Sequence, residues 1–320
     1  MFEYNDRGIR ISGTSLWLDA VKKVDLSFVS HAHADHIKKH KSIIATPPTI
    51  HIFQHRKGKV HFIPLDYHQP IKINDVEIEL LPAGHILGSA QIRIEKDGMS
   101  LLYSGDINTS KSETAEKLEY KNADILIIES TFGKPHYKFP PKYEVIEKLV
   151  SSIERCFRNG IAPVILSYSL GKSQEIIKIL GDLNYEMLVH SSIYHISKIY
   201  EEFGIELRNY KKYEGETLKD HIMLIPPHLN RWIDKKYLGS LHKIFVSGWA
   251  LDKSTKYRFK IDEAIPLSDH ADYNGLIRFI HNVDPKKIFI THGFDDFAIH
   301  LKKEGFNAQI LNESSQISLF

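Results

Sequence analysis

Residues 30–41 read SHAHADHIKKHK, placing four imidazoles and the carboxylate of Asp35 within twelve residues, directly after the apolar run VDLSFV at 24–29. Imidazole nitrogen and carboxylate oxygen are the donor atoms that zinc accepts, and a catalytic zinc site keeps one position open for water. In an extended or turning loop, alternate side chains His31 and His33 point to one side. Asp35 and His36 then sit past the turn, able to face a second ion. The competing reading is a solvated polar turn, which suffices for an isolated H-x-H in a chain of nineteen histidines.

What tips the balance is the recurrence of strand-like runs that end in an ionisable residue. VEIELLPAG runs into His85, LLYSG into Asp106, ADILII into Glu129, AIPLS into Asp269 and His270, and IFIT into His292. Residues just past the carboxyl ends of strands in layered α/β proteins converge on one edge of the sheet, where ligands bind. His85 would complete a three-imidazole set with His31 and His33, and Asp106 would bridge two ions. Ions roughly 3.5 to 4 Å apart share an activated hydroxide and stabilise both the attacking and leaving oxygens of a phosphoryl displacement.

The elements that must carry these residues follow from pattern. Short runs rich in β-branched residues recur through the first 130 residues, alternating with turn signals such as Asn74-Asp75 and Asp97-Gly98. The pattern changes after Lys134-Pro135. KYEVIEKLVSSIERC (142–156) has helical apolar spacing, IAPVILSYS reads as a buried strand, and GKSQEIIKILGDL reads as a helix, as in a parallel α/β unit. The strand-then-His style returns at AIPLSDHAD. We therefore expect a sheet domain over 1–136 and 263–320, interrupted by an α/β insert over 137–262.

Composition bounds the class. Hydrophobic residues make up 42% and charged residues 26% of 320 residues, ordinary values for a globular chain, and the formal net charge is +2. One cysteine, Cys156, excludes an internal disulfide framework and a zinc site built on cysteine pairs, and it reads as a buried structural thiol. No run approaches the roughly 18 apolar residues of a membrane span, and the start MFEYNDRGIRISG does not resemble a leader, so the expectation is a cytoplasmic protein without membrane contact.

HAHADH with the later His85 and Asp106 resembles the metallo-β-lactamase superfamily. Glu129 in ESTFG, His270 in SDHAD and His292 in THG are similar to the three extra motifs of its β-CASP branch, the nucleic-acid-processing nucleases. SYSLGKSQEIIKIL (167–180) and VSGWA (246–250) resemble the β-CASP cap. The resemblance implies an αββα sandwich with an inserted α/β cap and two zinc ions. It assigns His31, His33 and His85 to the first ion and Asp35, His36 and His292 to the second, with Asp106 bridging. It implies that Asp35, Glu129 and His270 serve catalysis, His270 protonating the leaving oxygen while Glu129 holds it. A carboxylate beside an imidazole favours the protonated form, which suits such a donor. The competing reading of His270 is a helix N-terminal cap, and that of Glu129 a plain strand-end acid.

The implied activity is hydrolysis of single-stranded RNA or DNA, with exonucleolytic action favoured by likeness to compact prokaryotic members, including those found beside DNA ligases. Repair or RNA-processing proteins are the expected partners. Ser130, Thr131, Tyr168, Lys172 and Trp249 are expected to touch substrate, the aromatics offering stacking surfaces. The basic runs Lys38-Lys39-His40-Lys41, read as a short helix face, and His55-Arg56-Lys57-Gly58-Lys59 could meet phosphates. The alternatives are a small-molecule hydrolase of thioesterase or lactonase type, which has no need of Glu129, His270 or the insert, and a non-catalytic nucleic-acid-binding subunit, in which ligand positions would be unfilled.

Overall fold

The computed structural model describes residues 1–237 and 239–312. The chain forms two compact units, Met1–Tyr137 joined by the chain from His270 onward, and Lys138–Asp269. Residues 313–320, the tail of the segment expected to close the first domain, lie outside the described residues. No helix among the described residues is long and apolar enough to cross a membrane.

The first unit opens with β1 (Phe2–Asn5), β2 (Gly8–Ile11), β3 (Leu16–Leu18), β4 (Leu26–Phe28), β5 (Ser42–Ala45), α1 (Pro47–Lys57) and β6 (His61–Pro64). These six strands form one sheet in chain order, antiparallel through β3 and parallel from β3 to β6. The chain continues through β7 (Ile71–Ile73), β8 (Val76–Pro82), β9 (Ala90–Lys96), β10 (Met99–Tyr103) and β11 (Ile125–Ser130) into a second sheet.

The second unit runs α2 (Lys142–Arg158), β12 (Ala162–Leu166), α3 (Lys172–Asp182), β13 (Met187–Val189), α4 (Ser191–Glu202), β14 (Tyr210–Lys212), β15 (Ile222–Ile225), α5 (Asn230–Lys236), β16 (Leu241–Val246), α6 (Thr255–Phe259) and β17 (Glu263–Ile265). Its sheet has the order β14-β13-β15-β12-β16-β17 with parallel neighbours throughout. A parallel sheet is covered on both faces, and APVIL of β12 is correspondingly buried at every position. Helix α2 buries Val145, Leu149, Ile153 and Cys156 along one stripe. Because β17 pairs with β16, residues 263–269 belong to this unit, whereas the sequence pattern placed the boundary at 262/263.

The chain re-enters the first unit through α7 (Tyr273–Val283), β18 (Lys287–Gly293), α8 (Asp296–Lys303) and β19 (Ala308–Ile310). The second sheet thus has the order β19-β18-β11-β10-β9-β8-β7, with β18 and β10 parallel to β11. Strand periodicity divides its side chains between two cores. Ile125 and Ile127 of β11 pack with Phe28 and Ile44 of the first sheet, while Leu126 and Ile128 pack against Leu276, Phe279 and Ile280 of α7 and Leu301 of α8. Sheet lies on sheet with helices outside, and the strand ends that carry the ionisable residues gather at one edge.

A candidate metal centre and an acid–base pair

Each site residue is set by the end of a strand. After β4 the chain turns at once: the His33 carbonyl accepts from the amides of His36 and Ile37, both at 3.2 Å, which folds His36 back toward His31. Gly84 lets the chain turn after β8 with φ +76; a side chain there would press a Cβ to 2.5 Å from the carbonyl of Asn108. The loop that follows presents His85. Asp106 follows β10.

His31, His33, His85 and Asp106 bring one ligand atom each within 4.8 Å of one another, and His36, Asp106 and His292 do the same. Asp106 belongs to both groups. Its Oδ2 lies 3.4 Å from His31 Nε2, 3.6 Å from His36 Nε2 and 3.9 Å from His85 Nε2. Asp35 stands outside both groups, an exposed carboxylate with Oδ2 3.8 Å from His36 Nε2.

These atoms suit a cation. His31 Nε2 and Asp106 Oδ1 are buried with no hydrogen-bond partner among the described residues. Buried polar atoms are nearly always partnered, so lone pairs left converging in this way mark a cation site. Burial, reinforced by the neighbouring imidazoles, holds His31 well below its usual pKa and so in the neutral, ligating form. Burial also raises the pKa of Asp106. At His36 burial opposes charge, but the carboxylates of Asp106, Asp19 and Asp35 outweigh it and push the imidazole up to about 10.

The pattern of strand endings overlooked Asp19, which follows β3 (Leu16–Leu18). Its Oδ2 accepts from His36 Nδ1 at 2.9 Å, Ser30 Oγ at 2.6 Å and the Tyr103 hydroxyl at 2.8 Å, and its Oδ1 accepts from the Ser30 amide at 2.8 Å. A carboxylate on the far nitrogen of a ligating histidine fixes which nitrogen carries the proton and how the ring points. The signal was present in L-W-L-D, an apolar run ending in an acid, but the run is only three residues long.

His292 reaches the centre through an irregularity. In the β11–β18 ladder Glu129 pairs with Thr291 and Ser130 with Gly293, so His292 is an extra residue, with φ +44. A bulge re-aims a side chain, and here it sets the His292 ring 4.9 Å from that of His36. The next residue has to be glycine: a Cβ on Gly293 would lie 2.2 Å from the backbone carbon and oxygen of Ser130.

Beside the metal cluster, His270 Nδ1 lies 3.2 Å from Glu129 Oε1. Glu129 is fully buried, and its carboxylate also accepts from the amides of Ile107 at 2.7 Å and Thr131 at 3.2 Å. Burial works against its charge, yet His270 and these donors hold it below the usual carboxylate range. His270 does not cap α7; that part falls to Asp272, whose Oδ1 accepts from Gly275 at 2.6 Å. The His270 and His85 rings are 4.4 Å apart.

The residues expected to touch substrate divide. Tyr168 is exposed, and Thr131 and Trp249 are half-buried. Ser130 is fully buried, with its hydroxyl toward the carbonyls of Thr291 at 3.5 Å and His292 at 3.3 Å, so it ties β11 to β18. Lys172 is also buried, its ammonium 3.3 Å from Asp269. Two further expectations change. Residues 37–41 are not helical, and His40 is buried with Nδ1 accepting from the Val24 amide at 3.3 Å. Arg56 donates to the Ala32 carbonyl at 2.6 Å, bracing the metal loop. Lys38, Lys39 and Lys41 remain exposed.

Residues 12–155 match the beta-lactamase superfamily domain, and residues 258–311 match the Zn-dependent metallo-hydrolase RNA specificity domain. The chain is 34% identical, over 98% of its length, to a probable DNA ligase of Opitutus terrae, of which it spans only 31%. It is 26% identical to an RNase J-like protein of Methanocaldococcus jannaschii over 85% of this chain and 82% of that one. With the DNA cross-link repair protein SNM1 of Arabidopsis thaliana it shares 23% identity over 88% of its own length and 65% of the relative's. The crystal structure of a protein of unknown function from Enterococcus faecalis V583 shares its fold, with a TM-score of 0.63 at 17% identity over 92% of this chain and 81% of that one.

Proposed function

The chain belongs to the β-CASP branch of the metallo-β-lactamase superfamily, and from that premise we propose that it is a two-zinc phosphodiesterase that hydrolyses single-stranded nucleic acid, working inward from an end. The observation that carries this reading is the placement of a buried Glu129 against a half-buried His270, beside a cluster in which Asp106 is shared by two sets of imidazoles. A hydrolase of small thioesters or lactones would gain nothing from such a pair.

His31, His33 and His85 would hold one zinc, His36 and His292 the other, with Asp106 between them and Asp35 available to the second. Zinc in such a pair supplies Lewis acidity toward the phosphodiester and lowers the pKa of water. The chain's own part is proton management. Glu129 accepts from Nδ1–H of His270, which orients the ring and favours the imidazolium, whose second proton, on Nε2, is the one handed to the leaving oxygen. Such a positioned donor contributes about 10²- to 10⁴-fold in rate. The amides of Ile107 and Thr131 keep Glu129 ionised and so keep that orientation.

The names of the relatives include both RNA- and DNA-acting proteins, so substrate and direction are read together in one assay. The zinc-replete protein is given end-labelled single-stranded RNA and DNA of the same sequence. Cleavage abolished by chelation, with labelled mononucleotide released first from one end, supports the proposal. A zinc-replete protein that leaves both strands intact while hydrolysing a thioester overturns it.

A further inference from the structure

The second unit carries a cationic face that none of the site chemistry uses. Arg231, Lys235 and Lys236 of α5 are exposed, as are Lys253, Lys256 and Arg258 in and just before α6. The two helices adjoin: Asn230 Nδ2 donates to the Phe259 carbonyl at 2.7 Å, and Trp232 and Phe259 pack on one core. Asp234, the acid of α5, is engaged by Lys243 at 2.7 Å. Among the described residues none of the six cations has a carboxylate within ion-pair distance. A folded surface normally interleaves its charges, and six unneutralised cations on or just before adjoining helices generate a field that attracts a polyanion.

One further residue selects the kind of polyanion. Tyr257 stands 84% exposed, the most exposed of the large hydrophobic side chains among the described residues, in the middle of the cations of α6. An aromatic ring held open to solvent among phosphate-binding side chains is what unpaired bases stack on, and it offers little to the paired bases of a duplex. We infer that the α5–α6 face of the second unit is a strand-holding site for single-stranded nucleic acid, the cations taking the backbone and Tyr257 a base. An acidic protein surface would use the charge and leave the ring idle. The choice of ligand rests on the nuclease reading above; the site residues are different ones.

The test reads binding without turnover. Zinc-replete His270→Ala protein is titrated with a fluorescent 24-nucleotide strand across a range of salt, alone and in two triple variants, Arg231→Gln/Lys235→Gln/Lys236→Gln and Lys253→Gln/Lys256→Gln/Arg258→Gln. Each phosphate that no longer meets a cation lowers the slope of log affinity against log salt by about 0.7 for single strands, so each triple should lower it by about 2. Tyr257→Ala should weaken the strand about ten-fold and leave inorganic polyphosphate binding unchanged. Slopes unchanged in both triples overturn the inference, as does a Tyr257→Ala loss that is equal for strand and polyphosphate. A protein that binds through this face yet cuts no strand overturns the nuclease reading alone. One that cuts while its slopes stay fixed overturns this inference alone.

Discussion

Replacing Asp19 by Asn removes a charge while keeping shape and backbone. Asp19 sits at φ +41, and Asn is among the residues that tolerate the left-handed region, so the main chain has no reason to move. The carboxylate accepts four hydrogen bonds, one at Oδ1 and three at Oδ2. An amide has one accepting oxygen. If that oxygen stays on the Ser30 amide, the NH₂ group faces His36 Nδ1, which must then offer a lone pair and carry its proton on Nε2. That atom, 3.6 Å from Asp106 Oδ2, is the one that would ligate the second zinc. The opposite amide rotamer sets NH₂ against the Ser30 N–H instead. Losing such an outer partner typically costs about 10- to 100-fold in metal affinity, or about 1.4 to 2.7 kcal/mol. Metal analysis after dialysis against graded chelator should show one zinc retained at wild-type affinity and the other weakened by that factor. Two unchanged zincs, or both lost together, would refute the tautomer argument.

Two more outcomes follow from single contacts. Gly293→Ala sets a Cβ more than an ångström inside ordinary contact with the Ser130 backbone, at φ +124. Backbone strain alone costs about 1 to 3 kcal/mol, so the urea midpoint should fall and the zinc bound through His292 should weaken; an unchanged midpoint with two zincs would mean the bulge is not fixed by this glycine. Asp124 accepts from the amide and hydroxyl of Ser100 and pairs with Lys286 at 2.7 Å, which lowers its pKa from 3.8 to about 2. A depressed carboxylate stabilises above its unfolded pKa and loses that contribution as pH falls through the folded value. Asp124→Asn should therefore be less stable than wild type near neutrality, with the difference closing between pH 3.8 and about 2 in acid unfolding curves.

How much the sequence revealed depended on whether a feature was local. H-x-H-x-D-H after a strand of the first sheet, with His85, Asp106, Glu129 and His292 at strand ends of the sheet packed on it, is readable because strand termini gather at one edge. What pairing and packing decide was not readable. Ser130 and Glu129 are neighbours on β11, both buried, because that sheet is covered on both faces. Lys172 was expected to touch substrate, and its pairing with Asp269 was not legible because Asp269 is remote in sequence. His40 belongs to the same basic run as Lys39 but folds inward to the Val24 amide. The bulge at His292 exists only in the register between β11 and β18. Asp19 differs from these: its signal was in the sequence, in a run too short to stand out.

In the proposed reading the centre separates metal binding from proton donation, and one paired measurement tests this. Zinc content and cleavage of an end-labelled single strand are determined on the same preparations of wild type, Asp106→Ala and His270→Ala. Asp106→Ala should lose zinc and activity together. His270→Ala should keep two zincs while cleavage falls by about 10²-fold or more. Equal zinc loss in the two variants, or full cleavage by His270→Ala, would refute that separation.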